Sequence, residues 1–267
     1  MLIPVLMSSV LGHILADFIF QTNSIATGKQ QLKLKFLAKH FLIVFSTTLI
    51  ILMLKVDPLL ALIVSLVIVS IHIIIDIIKA LLERELLPKA YVSFLFDQAV
   101  HIITLIIVSF IFVKQMTFND YNIDFMKWIS ELVSLKDLTG MTETKLVEHY
   151  IETLTHIEIY LSILLFFGFG AGIFVGKFLE QLKNFNIEET TFKLGRYIGI
   201  FERLIILILA ANLQFRAIGL IIAAKSLARH EKLDHQHFAE YYLLGTLLNI
   251  LIGITGGLLI NYLSTML

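Results

Sequence analysis

The chain has 267 residues, 58% of them hydrophobic and 16% charged, with 21 basic and 21 acidic side chains and no cysteine. Soluble domains average about 45–50% apolar and about 25% charged, so an ordinary soluble domain is excluded. The even charge balance argues against a nucleic-acid partner, and the missing cysteines exclude disulfides and thiolate metal sites.

The excess apolar residues fall in blocks, and a helix needs about 20 mostly apolar residues to span bilayer hydrocarbon. In chain order the blocks are Leu2–Gln21, Phe36–Leu54, Pro58–Leu82, Tyr91–Val113, Glu158–Phe178, Tyr197–Leu213 and Tyr241–Leu263. An eighth, Ala217–Ala228, is short and interrupted by Lys225, which suits a crossing or a re-entrant helix. The expected fold is all-α, a polytopic transmembrane helical bundle of seven to eight membrane segments. The first block lacks a basic leader and a small-x-small cleavage site, and it carries His13 and Asp17, so it reads as a retained helix.

Loop charge gives an expected orientation. Between the first two blocks, "TNSIATGKQQLKLKFLAKH" supplies Lys29, Lys33, Lys35 and Lys39 with no acid. The positive-inside rule puts this loop in the cytoplasm and the N-terminus outside. The loops holding Arg84 and Lys89, and Lys183, Lys193 and Arg196, then also lie inside. Lys114–His156 falls outside, and the helical apolar spacing of "FMKWISELVSL" and "KLVEHYIETL" predicts helices lying on the surface.

Three regions follow: a four-helix His/Asp-rich membrane domain over 1–113, an extracytoplasmic amphipathic connector over 114–157, and a C-terminal membrane domain over 158–267. In the last, "GFGAGIFVG" sets Gly168, Gly172 and Gly176 four apart, and Gly253 and Gly257 repeat the spacing. Such small-xxx-small faces let helices pack closely, within one chain or between copies of it.

The chemistry concentrates in the first region. The first block places His13, Asp17 and Gln21 at i, i+4 and i+8; the third places His72, Asp76 and Lys79 at i, i+4 and i+7. The second opens with Lys39 and His40, and the fourth holds Asp97, Gln98 and His101. Residues four apart on an α-helix share a face, so each helix presents one polar stripe. An Asp at mid-membrane costs about 2.5–3.5 kcal/mol even on the lenient translocon scale, so the stripes should face one another. Counted from the inner block ends, His13, His72 and His101 lie at matched depth, with Asp17, Asp76 and Asp97 about a turn shallower.

Imidazole and carboxylate donors at this spacing suit zinc, manganese or iron(II). His13, Asp17, His72, Asp76, Asp97 and His101 are therefore the expected metal ligands. Asp76 and Asp97 double as candidate general bases, with Lys79 as the group holding substrate charge. His40, Gln21 and Gln98, nearer the mouth, are candidate substrate contacts. A weaker cluster, Glu202, Arg203 and Lys225, joins them: Glu202 and Lys225 as a buried pair, Arg203 as a contact for an anion such as a lipid phosphate.

The leading functional expectation is a membrane-embedded metal-dependent hydrolase acting on a lipid or small anionic substrate at the cytoplasmic face. The alternatives are a proton- or ion-coupled transporter using the same stripe, and a non-catalytic sensor or assembly protein in which His and Asp only hydrogen-bond across helices.

The segments "GHILADFIFQT", "HIIIDIIKA" and "FDQAVHI" resemble the signatures of a bacterial family of polytopic membrane proteins classed only as a domain of unknown function. "GRYIGIFERLIILIL", "AIGLIIAAKSLARH" and "AEYYLLGTLLN" resemble the C-terminal region of its longer members. The resemblance implies a bacterial inner-membrane location and supplies no activity.

Overall fold

The computed structural model describes residues 2–85, 90–114, 127–129, 131–132, 140–181, 192–228 and 236–266. The described residues form an all-helical bundle. By length and composition six helical stretches can cross a bilayer: Leu2–Phe20, Leu34–Met53, Pro58–Glu83, Ala90–Phe112, Glu143–Gln181 and Ala239–Met266. The expected crossing at Tyr197–Leu213 forms a helix, Phe192–Ala211, whose Arg196, Glu202 and Arg203 keep it outside that set. The expected eighth segment is Phe215–Leu227, 13 residues long. At about 1.5 Å per residue it reaches about 20 Å, short of the roughly 30 Å hydrocarbon core. The expected surface helix around "FMKWISELVSL" lies largely outside the described residues, as do Lys89 and Lys183.

By compactness the chain divides into two units, Met1–Leu87 with Phe96–Ser162, and Pro88–Leu95 with Ile163–Leu267. The first contains α1 (Leu2–Ile14, continued by a π-helical turn over Leu15–Phe20), α2 (Asn23–Gln30), α3 (Leu34–Met53) and α4 (Pro58–Glu85). It also takes most of α5 (Ala90–Phe112) and most of α6 (Glu143–Leu165). The turn signals are local and physical. The Thr22 hydroxyl accepts from the Ile25 amide and starts α2. Asp57 Oδ1 accepts from the amides of Leu59 and Leu60 at 3.0 and 3.2 Å, with Pro58 as the first helical residue of α4.

Helix α2 ends in a Schellman turn: Lys33 N–H donates to Gly28 O and Leu32 N–H to Lys29 O, with Leu32 at φ 55°. That position usually takes glycine, and a leucine there accepts left-handed strain to reverse the chain between α2 and α3. The consequence for the site is that Lys29 is fixed in the last turn of a helix instead of trailing in a loop.

One end of the first unit is an apolar core of Val5, Leu52, Val56, Ala61, Val64, Ile68, Leu105 and Val108. Val5 and Val64 each lie eight residues before a histidine, His13 and His72, or about 12 Å along the helix. At this end Lys55 and Glu158 are both buried, with Lys55 Nζ 2.6 Å from Glu158 Oε2 and 3.0 Å from Thr155 Oγ1. Ser8 Oγ donates to the same carboxylate at 3.0 Å, and Tyr150 OH donates to Leu54 O at 2.9 Å. Burial pulls the Lys55 ammonium below its ordinary value, while Glu158 pulls it back up. This pair has no counterpart among the sequence expectations.

The second unit holds the start of α5, the end of α6, a π-helical turn (Phe166–Gly170), α7 (Ala171–Gln181), α8 (Phe192–Ala211), α9 (Phe215–Leu227) and α10 (Gln236–Met266). A Cβ on Gly257 would collide with the backbone of Leu207 and Ala211, and one on Gly253 would lie 2.7 Å from Ile206 Cγ2. The close approach of α10 to α8 thus depends on these two glycines, in line with the small-xxx-small spacing.

Candidate functional site

The π turn at the end of α1 is the first device that builds the site. Its wider i→i+5 winding changes the register after Ile14, so Asp17 no longer lies directly beneath His13. His13 Nδ1 and Asp17 Oδ2 are 4.0 Å apart, and Asp17 Oδ1 turns instead toward α3 and α4. There it lies 3.3 Å from His40 Nε2 and 3.5 Å from His72 Nε2. Asp76 Oδ2 lies 3.4 Å from His40 Nε2 and 3.5 Å from His72 Nε2, and the two imidazole nitrogens are 2.9 Å from each other.

Four donor atoms from three helices therefore lie around the His40–His72 pair, and five of their six mutual distances are informative. Donors at about 2.0–2.1 Å from a tetrahedral ion must be about 3.3–3.4 Å from one another. The five measured edges run from 2.9 to 3.5 Å. Asp17 Oδ1 is buried and accepts no hydrogen bond despite its two imidazole neighbours. Of the four side chains, His40 is fully buried and the others are at most 7% exposed. A buried carboxylate oxygen left without a donor costs free energy unless a proton or an ion supplies what is missing.

Beside this group lie the remaining expected residues. His13 Nε2 is 3.3 Å from Gln98 Oε1, and Gln98 Nε2 donates to Asp97 Oδ2 at 3.1 Å. With the amide so oriented, His13 carries its proton on Nε2, and its buried Nδ1 is unpartnered. His101 Nδ1 donates to Asp97 O at 2.8 Å, which fixes the tautomer and leaves the buried Nε2 as a bare lone pair. The His101 ring centroid is 4.1 Å from that of His72 and 5.0 Å from that of His13. Two further triads have donor atoms within 4.8 Å of one another, His13 with Asp17 and His72, and Asp76 with Asp97 and His101. Gln21 follows the π turn, its Oε1 buried without a partner.

Two lysines complete the cluster. Lys79 Nζ is 2.9 Å from Asp97 Oδ2, and Lys29 Nζ is 2.7 Å from Asp76 Oδ2. Lys29 escaped the sequence reading because its segment scored as a charged loop; the Thr22 cap was the signal that a short helix carries it. His40, expected as a substrate contact at the mouth, sits instead among the four converging donors. Its signal was the stripe His40, Val44, Thr48, all buried and four apart on α3.

The weaker cluster lies in the second unit as a network of its own. Lys225 Nζ is 2.6 and 2.7 Å from the two oxygens of Glu202 and 3.0 Å from Thr246 Oγ1. Arg203 donates to Gly168 O from Nε and Nη2, at 3.2 and 2.8 Å, and to Asn249 Oδ1 at 2.7 Å. Gly168 lies in the π turn, where altered winding leaves a carbonyl to be satisfied from outside the helix. Asn249 Nδ2 closes the ring on Glu202 at 3.0 Å. Arg203 is thus engaged in holding α8 against its own unit.

Residues 5–130 match a family model described as "Protein of unknown function (DUF3307)". The match covers α1 to α5, and so every residue of the His/Asp cluster; Glu202, Arg203 and Lys225 lie beyond it. No curated protein and no solved structure matches the chain.

Proposed function

We propose that this chain is a membrane-embedded hydrolase that holds one divalent transition-metal ion between His40, His72, Asp17 and Asp76. The supporting observation is that four of the five donor-to-donor distances, at 3.3–3.5 Å, match what a tetrahedral ion needs, the fifth being the 2.9 Å hydrogen bond between His40 and His72, together with a buried oxygen of Asp17 that accepts no hydrogen bond. A tetrahedral set of two nitrogens and two oxygens favours zinc over manganese or iron(II).

A site with four protein ligands is ordinarily structural, whereas a catalytic one keeps a position for water. Asp76 supplies the exchangeable position, because the oxygen nearest the imidazoles is also the one that Lys29 holds at 2.7 Å. Such an ion lowers the pKa of a bound water to about 7. Asp76, once displaced, and His101 Nε2, a bare lone pair beside His72, are the groups placed to take the proton. Asp97 orients His101 through its backbone carbonyl and is itself held by Lys79 and Gln98.

The rival transport reading needs a polar path through the apolar end of the bundle. Ser9 and Thr104 return their hydroxyls to carbonyls of their own helices, those of Val5 and Val100, while Ser8 is tied to Glu158. Thr48, Ser65 and Ser109 are buried in the same half, and among the described residues these hydroxyls do not bond to one another. The location that fits this reading is the bacterial inner membrane, with the N-terminus outside and the lysine-rich α2 region inside.

Elemental analysis tests the proposal. The chain, purified in detergent and equilibrated with zinc, should retain about one zinc after exhaustive dialysis. A metal content indistinguishable from buffer would end the metalloenzyme reading.

A further inference from the structure

Lys29 and Lys79 occupy a particular place in the cluster. The donors around the ion position are almost wholly buried, while the side chains of Lys29 and Lys79 are 11% and 26% exposed. Lys79 stands one turn beyond Asp76 on α4, and Lys29 comes from the last turn of α2, at the end of the cluster away from Val5 and Leu52. A solute entering from that end meets the two ammoniums first. Each ammonium has three donors and, among the described residues, makes one hydrogen bond, to Asp76 or to Asp97.

Charge points the same way. With neutral imidazoles, as ligation requires, three carboxylates and two ammoniums leave the metal-free cluster with one net negative charge. One divalent ion turns this into one net positive charge in a low-dielectric setting, where an unneutralised charge is costly. An anion that fills the exchangeable vertex relieves it. Three cationic contacts then converge on that anion: the ion, Lys29 and Lys79. A carboxylate has two oxygens to offer, whereas a phosphate group has enough for all three.

Resting on the zinc reading above, we infer that the substrate is a phosphate ester, its phosphoryl oxygens held between the ion, Lys29 and Lys79. On binding, Lys29 transfers a hydrogen bond from Asp76 to the phosphate, and Asp76, so released, takes a proton from the water whose oxygen bonds to phosphorus; the P–O bond to the leaving group breaks, and the departing oxygen takes that proton from Asp76. The buried, unpartnered Gln21 Oε1 is available to accept from a hydroxyl of the leaving group.

The test uses the full chain loaded with cobalt(II), whose visible absorption reports the occupied site independently of any anion. Two probes are titrated while their phosphorus NMR linewidths are followed, inorganic phosphate and dihexanoyl phosphatidic acid. Saturable broadening is expected, weakened about 10- to 100-fold by Lys29→Met or Lys79→Met. Tighter binding of the lipid probe assigns a lipid headgroup; tighter binding of inorganic phosphate assigns a soluble ester. In the unmutated chain, phosphate should slow acetylation of Lys29 and Lys79 but not of the exposed Lys35, a readout that does not depend on the variants folding. A cobalt band with no broadening by either probe would overturn this inference and leave the metal site standing. Broadening indifferent to both lysine variants, or acetylation indifferent to phosphate, would also overturn it. Absence of the cobalt band would remove the metal reading and this inference together.

Discussion

Replacing His72 by alanine lowers zinc affinity by more than about 100-fold while the protein remains inserted and helical. His72 Nε2 forms three of the five measured edges of the donor group, at 2.9 Å from His40 and 3.5 Å from both Asp17 and Asp76. Loss of a partner that merely orients a metal ligand already costs about 10- to 100-fold in affinity, so loss of a ligand costs more. In the metal-free protein the 2.9 Å contact between two imidazole nitrogens requires one proton between them. Zinc displaces that proton to the other nitrogen of its ring, and because ligation requires neutral imidazoles, protons compete with zinc and binding weakens as pH falls. Asp76→Asn should be milder than His72→Ala, because Asp76 already shares its oxygen with Lys29. Competition against a chromophoric zinc chelator measures all three effects. Equal affinities for the parent chain and His72→Ala would place the ion elsewhere.

Lys55→Met destabilises the protein by about 3–5 kcal/mol, and Lys55→Met combined with Glu158→Leu recovers most of that loss. The physical reason is an asymmetry in buried ion pairs. Removing one member leaves the other uncompensated, whereas replacing both with apolar groups of similar volume is often neutral. Lys55 is 1% exposed, and its partners are Glu158 and Thr155 on α6 and the Pro4 carbonyl on α1. Stability is read from reversible unfolding in mixed micelles for the two single variants and the double variant. A Lys55→Met cost within about 0.5 kcal/mol of zero, the range of ordinary surface changes, would mean that Glu158 is not held as a charge by Lys55. The pair is expected to leave zinc binding untouched, since Ser8, the α1 residue bonded to Glu158, lies nine residues before Asp17.

Much of this molecule is legible in its sequence because a bilayer makes polar residues conspicuous. The transmembrane helices announce themselves by length and hydropathy, and His13, Asp17, His72, Asp76, Asp97 and His101 do gather in one cluster. What escaped were features without a periodic signal. The π turn after Ile14 redirects Asp17 toward His40, and an i, i+4 rule based on regular winding cannot see it. Helix α2 is too short and too polar to score as a helix, so Lys29 was counted only as loop charge. Lys55 sits between two membrane blocks, where no periodic pattern marks it, and its burial against Glu158 belongs to the fold alone. Pairings between distant segments, such as Lys225 with Glu202, are favoured by charge in the sequence but acquire Thr246 and Asn249 only through the fold.

X-ray absorption at the zinc edge of the loaded chain tests the central claim most directly. The account predicts four nitrogen or oxygen neighbours at about 2.0–2.1 Å, with the multiple-scattering signature of two imidazoles that falls to one in His40→Ala or His72→Ala. Six oxygen neighbours with no imidazole scattering, or a spectrum unchanged in both variants, would contradict it.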